Sequence, residues 1–188
     1  MVVLVGIWHD LQWNWKYVND IAIEVHRQNL CQYLPWLEES INKNRVEIVG
    51  EEAGAGMLLE ELLKEHDCRF TFLQEIANKL SLEYFRFDLP PDQLSSFGTR
   101  SKLADYREKK RKFSPDERET FCRDREKWFH KTITARIRKD QNGLVILGAK
   151  HLQPLQVSLQ QSGYEVNGQD VACFEWYKDP TDEAIRQF

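Results

Sequence analysis

"VVLVGIWH", residues Val2 to His9, decides the fold. The residues from Val2 to Val5 are aliphatic and mostly β-branched, with no polar position to turn toward solvent. Such a run reads as a strand buried on both faces of a parallel sheet. Gly6 closes the run, and an ionisable histidine stands three residues further on. Two later stretches have the same form. In "RVEIVGEE" (45–52) Val46, Ile48 and Val49 precede Gly50, and in "GLVILGAKH" (143–151) Leu144 to Leu147 precede Gly148. "LEYFRFDLPP" (82–91) supplies a fourth candidate from Leu82 to Phe87, ended by Pro90 and Pro91. "GYEV" (163–166) and the apolar part of "VACFEWY" (171–177) read as late strands, one of them an antiparallel edge.

Helical patterns separate these runs, and βα alternation predicts an α/β fold: a mostly parallel central sheet with helices on both faces. Ile21, Val25, Leu34, Leu37 and Ile41 mark the first helix, which Pro35 is expected to kink or divide. Leu58, Leu59, Leu62 and Leu63 mark a second, and Leu73, Ile76, Ala77 and Leu80 a third. The polar segment from Asp88 to Phe113, with "SSFG" and "REKKRK", reads as an excursion over the surface or a lid. A further helix begins at "SPDE": Ser114 caps, Pro115 suits the first helical position, and Glu117 completes a capping box. At about 100° per residue, Phe121, Trp128, Phe129 and Thr132 share one face with Arg125 near its middle. A guanidinium sent inward needs a carboxylate, a carbonyl or an anionic ligand beside it.

Ligands of open parallel sheets bind outside the carboxyl ends of the strands. His9 follows Gly6, Glu51 and Glu52 follow Gly50, and His151 follows Gly148, so the ionisable residues collect along that one edge. A glycine at each strand end permits a sharp turn and a close approach. Two histidines with one or two carboxylates form a set that could bind a divalent metal such as manganese, cobalt or zinc, with His9, Glu51 and His151 as ligands. Such a metal lowers the pKa of its bound water to about 7. Without metal, a histidine can serve as general base, a glutamate can orient it, and Arg125 can stabilise an oxyanion. His26, His66 and His130 fall within helical patterns and read as structural, as do Trp13, Trp15 and Trp36.

The chain has 188 residues, 41% of them hydrophobic and 12% aromatic, which suits one globular domain spanning 1–188. A net charge of −4 offers no footprint for nucleic acid or an acidic membrane. Cys31, Cys68, Cys122 and Cys173 form no C-x-x-C pair and read as reduced core thiols. "MVVLVGIWHD" lacks the features of a signal peptide, and no apolar run approaches the roughly 20 residues that span a bilayer, so a cytoplasmic protein with no membrane partner is expected. The substrate expected is a small molecule or a peptide, and a homodimer is left open.

Four blocks taken together, "VLVGIWH", "VEIVGEE", "REKWF" and "LVILGAKHLQPLQVSLQQSGYEV", resemble the Tiki/TraB/PrgY superfamily, which includes erythromycin esterase-like and ChaN-like proteins. The resemblance covers nearly the whole chain. It implies a TraB/ChaN-like domain and a site made of His9, Glu51 or Glu52, Arg125 with Glu126, and His151. The sequence departs from the pattern at Glu126, where asparagine or aspartate is common, and in the bulk of Trp8. The activity implied is hydrolysis of an ester, amide or peptide bond, metal-dependent in Tiki-like members. The alternative implied is a binding module for haem or another anionic ligand, with a histidine as axial ligand and Arg125 on a carboxylate.

Overall fold

The computed structural model describes residues 1–12, 20–52, 64, 68–88 and 114–179, with the backbone alone at His9, Asp10, Pro115, Glu117, Arg118 and Phe121. The predicted helix at Leu58 to Leu63, the excursion at 89–113, His66, Trp13 and Trp15 lie outside the described residues.

Strands β1 (Val2–Ile7), β2 (Ile48–Glu51), β3 (Glu83–Arg86), β4 (Gly143–Gly148) and β5 (Val166–Asp170) form one sheet in the order β3-β2-β4-β1-β5. All four neighbouring pairs are parallel. β1, β2 and β4 are buried along their whole lengths, which is why their sequences carry no polar alternation. The α/β fold with a parallel sheet is as the sequence predicts.

Among the described residues four α-helices flank the sheet: α1 (Asp20–Lys43), α2 (Phe72–Leu80), α3 (Pro115–Arg136) and α4 (Leu152–Gln161). Leu30, Tyr33, Leu37 and Ile41 of α1 and Leu73, Ile76 and Ala77 of α2 pack with Val3, Val5, Val49, Leu144 and Ile146 on one face. Phe129 and Ile133 of α3 and Leu152, Leu155 and Leu159 of α4 pack with Val2, Leu4, Ile48, Val145 and Leu147 on the other. The alternation of neighbours such as Ile48 and Val49 between the two cores is the period-2 pleat of a strand. From β1 the chain steps toward β2 and β3; from β3 it returns to β4 and then β5. Because β-α-β crossovers are right-handed, reversing direction moves the helices to the opposite face. β4 therefore lies between β2 and β1, whose following helices sit on the other face from its own, and this is the switch point at which such folds open a crevice.

Several expectations are corrected. The late strand is β5, between the two predicted runs, and it pairs parallel with β1. "VACFEWY" forms no strand because Asp170 Oδ1 accepts the Ala172 N–H at 3.0 Å and starts a short helical turn over Val171–Cys173. Its aromatics then pack back on α1, with the Phe174 ring edge-on to Trp36 at 5.1 Å. α1 runs unbroken through Pro35. The cysteines form no disulfide among the described residues, and none is a core thiol: Cys31 and Cys173 are exposed, Cys68 and Cys122 half-buried. Gly6, Gly50 and Gly148 lie inside strands, and among the described glycines only Gly163 has a positive φ. Their turning role is replaced by the close-approach role. A Cβ on Gly6 would lie 3.1 Å from Ala149 Cα, so its absence lets the turn after β4 settle against β1.

Among the described residues, no helix is long and apolar enough to cross a membrane.

Candidate functional site

Glu51 and Glu52 occupy adjacent positions at the end of β2, and the pleat sends them apart. Glu52 remains hooked to β4 through its N–H, which donates to Ile146 O at 2.8 Å. Its side chain lies on the α3/α4 face and is 1% exposed. Oε2 accepts the Gly148 N–H at 2.8 Å, and Oε1 accepts from Arg125 Nη2 at 2.5 Å.

Arg125 reaches this point because α3, which starts at Pro115, carries residue 125 on the same side as the buried Phe129 one turn further on. Its guanidinium is 12% exposed and forks onto Asp88, Nε to Oδ1 at 3.3 Å and Nη2 to Oδ2 at 2.8 Å. It also stands 5.1 Å from the Phe129 ring centroid. Burial alone would push the guanidinium pKa down, but the Glu52 and Asp88 carboxylates outweigh it and hold it up. The inward arginine thus finds carboxylates, and its charge is answered within the protein.

His151 arrives on the turn Ala149–His151 between β4 and α4 and is fully buried. Nδ1 is 2.8 Å from Glu126 Oε1. An ionised carboxylate can only accept, so Nδ1 carries the proton and Nε2 is left as a bare acceptor. Among the described residues Nε2 has no hydrogen-bond partner, and it faces Glu52 Oε1 at 3.9 Å. The Phe129 ring packs edge-on against the imidazole at 5.4 Å. Burial pushes the His151 pKa down; Glu52 and the bond to Glu126 push it back without restoring it, and Arg125 and Lys150 add to the lowering. The imidazole is accordingly neutral at neutral pH.

Glu51 belongs to a separate polar cluster on the α1/α2 face. Oε1 accepts from Thr71 Oγ1 and from the Tyr84 hydroxyl, and Oε2 accepts from Gln12 Nε2 at 3.3 Å. Thr71 also caps α2 by accepting the Gln74 N–H. Burial pushes the Glu51 pKa up against those three hydrogen bonds. Burial and the nearby Glu51 charge push Tyr33 and Tyr84 up as well, so both phenols stay protonated.

Of the residues singled out from sequence, Glu52, Arg125, Glu126 and His151 are brought together, while Glu51 is turned to the opposite face. His9 lies on the turn His9–Gln12 that follows β1, at the same edge of the sheet; its side chain lies outside the described residues. The metal set His9, Glu51 and His151 is therefore not assembled through Glu51. Among the described residues no group of three or more His, Cys, Asp or Glu is placed to hold a metal ion. Sequence reading missed Asp88, Gln12, Thr71 and Tyr84. Asp88 carries the same signal as the others, a polar residue just past a strand end, but in sequence it falls at the start of the polar excursion from Asp88 to Phe113. His130, which reads as structural in sequence, has its Nε2 2.8 Å from Ser162 Oγ.

Fold and site together define a parallel α/β protein with a carboxylate-oriented, neutral histidine beside a buried ion-pair cluster at its switch point. The chain matches no family model, no curated protein and no solved structure.

Proposed function

We propose that this protein is a hydrolase of ester, amide or peptide bonds, of the kind the Tiki/TraB/PrgY resemblance implies, with His151 as its general base. The observation that carries the proposal is the pairing of the Glu126 carboxylate with His151 Nδ1, which leaves Nε2 as a neutral acceptor at the switch point. Glu126 holds the tautomer and stabilises the imidazolium formed when Nε2 takes a proton. Two acceptors that face each other, Nε2 and Glu52 Oε1, suit a proton donor such as a water or hydroxyl, which becomes the nucleophile as Nε2 removes its proton. Glu52 and Asp88 fix Arg125, and Arg125 in turn fixes Glu52 at the position that faces His151.

Arg125 acts here as an organiser rather than as an anchor for an anionic ligand, because two carboxylates already meet its charge. A haem propionate would have to compete with both, so the binding-module reading draws less support. With Glu51 on the opposite face, the mechanism proposed needs no manganese, cobalt or zinc. A cytoplasmic setting with a small-molecule or peptide substrate remains part of the proposal.

The test is a hydrolase screen over esters, lactones and peptides with wild type, His151→Gln and Glu126→Gln. We expect His151→Gln to lower kcat by about 10²–10⁴ and Glu126→Gln by less, with activity surviving chelator treatment. Full activity in His151→Gln refutes the assignment. Loss of activity on chelation, restored by one metal, would return the site to a metal reading.

A further inference from the structure

We propose that Gln12 is a positioning residue that locks the turn carrying His9 to the strand end carrying Glu52. This inference rests on the hydrolase reading for its functional half and on geometry alone for its structural half. β1 and β2 are not neighbours; β4 lies between them, so no ladder hydrogen bond joins the end of β1 to the end of β2. Gln12 supplies that link. It closes the turn His9–Gln12, is 2% exposed, and donates from Nε2 to Glu52 O at 2.8 Å and to Glu51 Oε2 at 3.3 Å. One carboxamide thus joins the turn after β1 to the end of β2, across the strand that separates them.

Both acceptors are themselves held. Glu51 is bound from the far side by Thr71 and Tyr84, and the Glu52 backbone is tied to β4 through its N–H. The Gln12 contact therefore meets a rigid frame, and the backbone of the His9 turn takes its place relative to Glu52 from it. The resemblance makes His9 a member of the reacting site, and displacing a reacting group by about 1 Å costs on the order of 10²-fold in rate, so a link that holds its turn acts on kcat rather than on substrate binding. Glu51, expected from sequence to be a ligand or base, serves here as the fixed acceptor behind the link.

The experiment uses the full chain with Gln12→Met, which keeps the buried volume and removes the donors, and Gln12→Glu, which keeps the shape and puts an oxygen where the donor was. Imidazole resonances are followed by NMR in histidine-labelled protein, alongside kcat and KM on the best substrate of the screen. We expect the His9 resonances to move in both variants while those of His130 stay, and kcat to fall by about tenfold or more with KM within about twofold. Should Gln12→Met fail to fold cooperatively, Gln12→Glu carries the same expectation. His9 resonances coincident with wild type, or an unchanged kcat, overturn the proposal. If the wild type hydrolyses nothing offered, the hydrolase reading is what fails, and the His9 resonances alone then decide the role of Gln12.

Discussion

Arg125 is the residue on which the site depends most for its stability, since Glu52 and Asp88 are both nearly excluded from water and both pair with it. Replacing it with methionine keeps much of the stem and deletes the charge, leaving the carboxylates without their guanidinium. Removing one member of a buried ionic group costs about 3–5 kcal/mol, and we expect Arg125→Met to lose stability of that order in urea unfolding. A loss below about 1 kcal/mol would mean the cluster is open to solvent. Glu51 gives a second expectation. Its folded pKa is raised above the unfolded value, so its contribution to stability is complete below the unfolded pKa and is lost as pH rises through the folded one. Glu51→Gln should flatten the stability profile over that window; equal slopes in both proteins would contradict the buried placement. The adjacency of Glu51 and Glu52 at a strand end was legible in the sequence, and so was their divergence in principle. Which of the two meets Arg125 was not, because that depends on which face α3 covers, a property of the chain's path and not of local pattern.

At the scale of elements, the best-read feature was α3, where "SPDE" set both the start and the phase, and the phase alone sent Arg125 inward. The worst-read was the C-terminal part. β5 is an edge strand of mixed polarity, "VNGQD", whose pairing with β1 leaves no apolar signature, whereas the aromatic "VACFEWY" looks like a strand and instead packs over α1. The glycines show the same limit: their presence at strand ends was plain, but their purpose depends on what crosses above them. A Cβ on Gly50 would sit 2.5 Å from Phe85 Cζ, within a tightly packed core. Gly50→Ala should therefore cost about 1–3 kcal/mol, and the double change with Phe85→Leu should recover part of it. Strict additivity of the two would show that the ring is not what the glycine accommodates. Thr71→Val removes both a helix cap and a donor to Glu51, so its cost should exceed the roughly 1 kcal/mol of a cap alone.

For the whole molecule, the parallel class followed from runs with no polar alternation, while the order β3-β2-β4-β1-β5 did not, because every central strand is equally apolar. Order is what places β4 between β2 and β1 and makes the turn at His151 the centre of the edge. His151 joins these scales, since the strand order, the α3 phase and the pleat of β2 all converge on its imidazole. The most direct test is the long-range ¹⁵N NMR spectrum of His151, assigned with His151→Gln, across a pH series. The expected result is an imidazole protonated on Nδ1, with a bare Nε2, that stays neutral below the ordinary histidine value of about 6.5. An Nε2–H tautomer, or a titration at or above that value, would contradict the assignment of His151 as the base.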